Sequence, residues 1–209
     1  KHVAPIVMDF LAEHPGVTLH LNLTDHFVSI VESGVDLAVR IGELPDSNLV
    51  ARRIGAVRRV VCASPRYLAQ QGMPIHPKEL AAHNCLQFSS LSPTPYWDFD
   101  IEGKLHPFRV RGSFSSNSAA PIINASRNGL GIIVVLSYQV QEYIENGELR
   151  VILQPFEPPP VPVQAVYSSG RFLPSRIRTL IDLFSDRLES KDWVNLTVPS
   201  QNRSKSKKV

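Results

Sequence analysis

Across residues 1–42 the spacing of apolar side chains switches back and forth between two periods, and that order constrains the fold more than any single residue. Val3, Ile6, Val7, Phe10 and Leu11 recur at i, i+3, i+4, i+7 and i+8, an amphipathic helix ended by His14-Pro15-Gly16. Val17, Leu19, Leu21 and Leu23 then alternate as a strand. Thr24-Asp25 caps a short helix carrying Phe27, Ile30 and Val31, with Gly34 as its stop. Val35, Leu37, Val39 and Ile41 alternate again, with Asp36, Ala38, Arg40 and Gly42 between them. Helix, strand, helix, strand with tight connections predicts βαβ crossovers and a parallel sheet. The start inside a helix leads to the expectation that a strand feeding it lies upstream.

The remaining residues repeat the alternation. Leu49–Ile54 and Val57–Ala63 read as strands, and Ser64-Pro65 opens a helix that Gly72 closes. Pro77–Ala82 is a short helix and Cys85–Phe88 a strand. Residues 89–113 hold turn residues, two short aromatic strands around Trp97 and Phe108, and a Glu102-Gly103 hairpin signal. The run from Ser115 to Ser137 reads as cap, helix, glycine turn and buried strand. Ser137–Glu145 is a helix and Leu149–Leu153 a strand. Five prolines between Pro155 and Pro162 exclude a central strand there, and Val163–Tyr167 is a strand. Ser175–Leu188 is a last amphipathic helix. The expected organisation is α/β with two halves. Residues 1–56 plus 165–190 form the first, 57–164 the second, and 191–209 a polar, basic, frayed tail. A chain that crosses over and returns gives two lobes with a cleft between them, a natural place for a small molecule.

Composition narrows the function classes. The net charge is only +3, and Arg203–Lys208 holds four cations in six residues, so the body is near neutral. That is not the broad basic face of a nucleic-acid binder. The terminal cations read as a solvated tail, with contact to DNA phosphates as the alternative. No apolar run reaches the roughly 18 residues of a membrane span. Asp9, Glu13 and His14 interrupt the N-terminal run, which is no signal peptide, and a cytoplasmic protein is expected. Cys62 and Cys85, in apolar strand-like runs, read as buried free thiols.

No catalytic signature is present: no GxSxG, HExxH, CxxC or GxxxxGK[ST]. Gly129-Leu130-Gly131 ends a helix and starts a strand, the reverse of dinucleotide order. The seven histidines lack ligand spacing, so neither metal nor cofactor is expected. The candidate contacts lie where strands end and helices begin. Ser116, Asn117 and Ser118 precede a helix whose free N–H groups and positive dipole end attract carboxylate or phosphate; plain capping needs only one of them. Thr24 has the same place in the first half, and Ser89 ends a strand. Asp36 and Arg40 lie about 13 Å apart on one strand face, too far to pair directly. Arg40, beside Gly42, can read a ligand carboxylate, fix the lobe-joining loop, or pair with an acid such as Asp25, Asp36 or Asp46.

The run from Thr24 to Phe88, then NGLGIIVVLS, ENGELRVIL and PVQAVYSSGRFLPSRIRTLIDLF, closely resembles the effector-binding domain of LysR-type transcriptional regulators. The resemblance covers about residues 1–190. It implies two Rossmann-like subdomains joined by two crossover strands, similar to type 2 periplasmic binding proteins. It implies a small anionic or polar effector between them and promoter DNA read by an N-terminal winged helix-turn-helix outside this chain. Ligand contacts would map to Thr24, the Arg40–Gly42 strand end, Ser89, and Ser116, Asn117 and Ser118. Such domains typically pair as homodimers or higher homo-oligomers, which would turn the stripe Val3, Ile6, Val7 and Phe10 toward a partner; its alternative is burial in the chain's own lobe. Two departures stand out. The serine or threonine usual between the first strand and first helix is absent, and Leu136 stands where the family has proline, so the turn there is expected to be less fixed. The reading is a binding domain without catalysis; the alternative is the solute-binding protein of a transporter.

Overall fold

The computed structural model describes residues 2–24, 34–42, 49–168, 173–189, 191 and 193–194. Helix α1 (Val3–Glu13) buries Ile6, Val7 and Phe10. These side chains join Ile54, Val57, Val163 and Ala165 and the apolar face of α5 (Ser175–Glu189) in the first core. Its sheet has the order β1-β10-β2, from β1 (Ala38–Ile41), β2 (Leu49–Val57) and β10 (Val161–Ser168).

The expected parallel sheet is corrected here: both pairings in this sheet are antiparallel. Alternation states which face a side chain takes, not the direction of the neighbouring strand. Val17–Leu23 is also no strand among the described residues. Val17 and Leu19 pack on the first core, whereas Leu21 and Leu23 are exposed. The segment has the pattern of a strand without a described neighbour to complete its ladder. The expected helix after Thr24-Asp25 lies outside the described residues. So do Asp25, Asp46 and most of the basic tail, including Arg203–Lys208. Trp193, inside the expected tail, is buried in the first core, edge-on to His2 and tilted against Tyr138.

β10 starts two residues earlier than its apolar pattern predicts and is the central strand of its sheet. Pro162 is therefore in a central strand, contrary to expectation. It is the second residue of the strand, just before a register shift at Val163/Gln164, where a missing N–H interrupts the ladder least.

The second lobe is a five-stranded mixed sheet of order β7-β4-β8-β3-β9. Its strands are β3 (Arg59–Ala63), β4 (Cys85–Phe88), β7 (Ser115–Ser116), β8 (Ile132–Leu136) and β9 (Arg150–Ile152). β4 runs parallel to β7 and β8, and β3 antiparallel to β8 and β9. One face carries Val60, Cys62, Ile133 and Val135 under α3 (Ala119–Arg127) and α4 (Ser137–Glu145). The other carries Val61, Ala63 and Ile132 under α2 (Pro65–Gln71) and the hairpin of β5 (Tyr96–Ile101) and β6 (Lys104–Arg109). Strands this apolar on both faces need cover on both. Glu102 and Gly103 turn the hairpin with φ of 54° and 80°, the two left-handed residues of a type I′ turn. Ser64 caps α2 by accepting from the Tyr67 N–H at 3.3 Å, as the Ser-Pro pair predicts. Both thiols are free and buried. Burial pushes Cys85 up to about 12 and Cys62 well above the thiol range, so neither is a ready nucleophile.

The turn at Leu136 is fixed despite the absent proline. Ser137 N–H donates to the Arg58 carbonyl at 2.9 Å, Arg58 N–H donates to the Ser137 hydroxyl at 3.1 Å, and Gln139 accepts from the Leu136 N–H at 3.0 Å. Three hydrogen bonds replace the rigidity of a ring. Leu136 itself faces the first core, as does Tyr138, so this corner joins the lobes.

Candidate functional site

Parallel pairing of β4 with β7 sets Phe88 opposite Ser116, so the next residues of both segments leave the sheet side by side. Ser89 N–H donates to the Ser116 carbonyl at 2.9 Å, and the Ser90 hydroxyl donates to the Asn117 carbonyl at 2.7 Å. The Ser118 N–H donates to the Ser116 hydroxyl at 3.1 Å. Ser89, Ser116, Asn117 and Ser118 therefore form one cluster at the carboxyl end of β4. Leu91, next in line after Ser90, packs against both the first and second cores, so the cluster stands at the junction of the lobes.

Ser118 occupies the N-cap of α3 with extended backbone (φ −115°, ψ 140°), yet its side chain makes no capping bond. The local sequence explains this. Pro121 stands third in the helix and has no N–H for a capping oxygen to accept from. The first turn still presents the N–H groups of Ala119 and Ala120 with the positive end of the helix dipole. Asn117 is exposed, and Ser116 and Ser118 are half-buried. Two hydroxyls, an amide and helix N–H groups make a donor-rich surface suited to an anionic or polar group.

The first-lobe candidates behave differently. Arg40 is half-buried on β1, opposite Gln164 of β10. Gly42 takes a φ of 119°, which needs glycine. Its N–H donates to the Pro162 carbonyl at 3.0 Å, and its carbonyl accepts from Gln164 Nε2 at 3.0 Å. Gly42 thus closes the β1–β10 edge with its own backbone groups. Gln164, which holds it, escaped sequence reasoning because a polar residue in an apolar run gives no sign of its partner. Thr24 is exposed at the edge of the described residues. The stripe expected to meet a partner faces inward: Ile6, Val7 and Phe10 are buried and Val3 is partly covered in the first core. A helical stripe packs on the nearest apolar surface, and α5 with its sheet supplies one within the chain. Met8, at 67% exposure, is the large apolar side chain that α1 turns outward.

Among the described residues no group of three or more His, Cys, Asp or Glu side chains could hold a metal ion. No described helix is long and apolar enough to cross a membrane.

Residues 1–189 match the family model of the LysR substrate binding domain. An HTH-type transcriptional regulator of Xanthomonas campestris is 30% identical over 190 residues, covering 89% of this chain and 55% of the relative. The chain thus spans little more than half the length of that curated relative. The regulatory domain of CrgA, a LysR-type transcriptional regulator from Neisseria meningitidis, has a TM-score of 0.76 at 30% identity, covering 89% of this chain and 91% of that one. Full-length AphB, a virulence activator of Vibrio cholerae, has a TM-score of 0.76 at 26% identity, covering 88% of this chain and 62% of that one. These neighbours carry the type 2 periplasmic-binding-like fold, and they give a transporter reading no support. The chain belongs to the LysR substrate-binding domain family, the effector-binding regulatory part of LysR-type transcriptional regulators.

Proposed function

We propose that the chain senses a small anionic or polar metabolite in the cleft between the lobe built on β1, β2 and β10 and the lobe built on β3, β4, β7, β8 and β9. Ser89, Ser116, Asn117 and Ser118 bind it from the second lobe, and Thr24 and Arg40 from the first, with Gly42 shaping the edge beside Arg40. The observation that carries this reading is the cap of α3, where the Ser118 side chain makes no capping bond and stands beside Ser116 and Asn117 at the lobe junction. The ligand shifts the balance between open and closed arrangements only by binding one of them better. In the whole protein this changes the geometry of paired domains, and so of DNA-reading helices bound to a promoter. The role is binding without turnover, in the cytoplasm, and a homodimer or higher homo-oligomer is the working unit. Thermal-shift measurement against a panel of short organic acids tests it. An acid that raises the melting temperature of the parent is expected to lose most of that shift in Asn117→Ala and Ser118→Ala. Equal shifts in all three proteins place the site elsewhere.

A further inference from the structure

A cavity of about 110 Å³ lies in the second lobe, between the β3–β8 face of the sheet and the β5–β6 hairpin. Its walls are mixed, with Val134 on the sheet side and Trp97 on the hairpin side supplying apolar surface among polar side chains. Arg59 and Glu157 also line it. Arg59 Nε and Glu157 Oε1 are both buried, and neither has a hydrogen-bond partner in the protein. The other Glu157 oxygen, Oε2, stands at ion-pair distance, 3.4 Å, from Arg58 Nε without a hydrogen bond to it, and the Glu157 side chain is only 8% exposed. Asp98 and Thr94 form the exposed rim.

A buried donor and a buried acceptor without partners in one cavity call for a molecule that answers both, because orphaned buried polar groups are costly. A guanidinium keeps its charge, so Arg59 needs an acceptor, best an anionic one. Glu157 Oε1 needs a donor, and Asp98 offers a second carboxylate nearby. An occupant with a single charge would satisfy one end and leave the other orphaned. Size narrows the choice. The cavity far exceeds the roughly 10–15 Å³ that one water requires, and falls below the ~150 Å³ of an engineered cavity that admits benzene. That leaves molecules of a few heavy atoms.

We propose that this cavity is a second small-molecule site, separate from the interlobe cleft, for a short zwitterion such as a small α-amino acid, with its carboxylate on Arg59 and its ammonium on Glu157 and Asp98. Burial holds the Glu157 carboxyl up at about 7, so an ammonium against Oε1 favours its charged form.

The test is a nitrogen-15 NMR titration of the chain with glycine, with acetate and methylammonium as one-charge probes. The chain has two tryptophans, so two indole resonances report. Trp97 lines the cavity and Trp193 lies in the first core. Glycine is expected to move the Trp97 indole and leave Trp193 still, with each one-charge probe binding at least about tenfold more weakly. Arg59→Gln should weaken glycine about tenfold. Thr94→Phe, on an exposed loop where folding is not at stake, should block the mouth and abolish the response. Asn117→Ala should leave it intact, which keeps this site distinct from the cleft. A Trp97 indole that glycine does not move overturns the proposal. So do equal responses in Thr94→Phe and parent, loss of response in Asn117→Ala, or acetate binding as well as glycine.

Discussion

Arg58 Nε stands 3.4 Å from Glu157 Oε2, and this ion pair joins the two segments by which the chain passes between the lobes. Arg58 lies between β2 and β3, and Glu157 leads into β10. Both side chains are nearly buried, at 12% and 8% exposure. The Arg58 backbone is also bonded reciprocally to Ser137. The two crossings are therefore tied together where they meet the second lobe. With the Glu157 carboxyl already raised to about 7, loss of Arg58 is answered by protonation instead of by a stranded charge. Arg58→Gln is expected to cost about 1–3 kcal/mol in urea unfolding at neutral pH, the cost of leaving a buried polar group without its partner. A loss below about 1 kcal/mol would show that the pair holds nothing in place.

The same pair sets a pH dependence. Burial raises the Glu157 carboxyl from 4.5 to about 7, against the opposing pull of Arg58. The folded chain therefore holds this proton more tightly than the unfolded one. The contribution to stability is full below about 4.5 and is lost as pH rises through about 7. Glu157→Gln should remove that fall, measured by denaturant unfolding between about pH 5 and about pH 8. A slope that persists in the variant assigns it to another group.

Two glycines flank the start of β4 for lack of room rather than for turn geometry. A Cβ on Gly112 would sit 1.8 Å from the Cys85 carbonyl oxygen, and one on Gly131 would sit 2.2 Å from that of Asn84. Both obstacles are backbone and cannot swing aside. Gly112→Ala and Gly131→Ala should each cost about 3 kcal/mol or more, at or above the top of the usual overpacking range. Gly147→Ala meets no atom, but it forces alanine to a φ of 73° and should cost nearer 1 kcal/mol. Thermal unfolding of the three variants checks this order.

Two serines of α3 should separate stability from binding. The buried Ser126 hydroxyl donates to the Gly131 carbonyl at 2.9 Å, so Ser126→Ala should cost about 1–3 kcal/mol. Ser118→Ala should cost less than the ~0.5–2 kcal/mol typical of losing a cap, because its side chain makes no capping bond. A full capping cost at Ser118 would assign that hydroxyl to the helix instead of a ligand.

Much of the second lobe was legible because its signals are local. Ser64-Pro65 and Gly72 bracket a helix, and Glu102-Gly103 turns a hairpin, through chemistry contained in adjacent residues. The serine cluster was legible in the same way, since Ser116, Asn117 and Ser118 adjoin in sequence. What failed depends on partners far along the chain. Nothing within Val35–Ile41 says that its neighbour is β10 and antiparallel. The α1 stripe has helical period whether it faces α5 or another chain. Glu157 lies in a proline-rich run that carries no apolar period to mark it as buried, and its burial depends on the approach of Arg58, far away in sequence.

The central claim is that a ligand sits where β4 ends and α3 begins. A crystal structure of the chain with the organic acid that raises its melting temperature most is the direct measurement. The account predicts the acid's carboxylate within hydrogen-bonding distance of the Ser116 or Ser118 hydroxyl, or of the Asn117 amide, with the rest of the molecule toward the first lobe. Density for the acid at any other place, with those three side chains untouched, would contradict it.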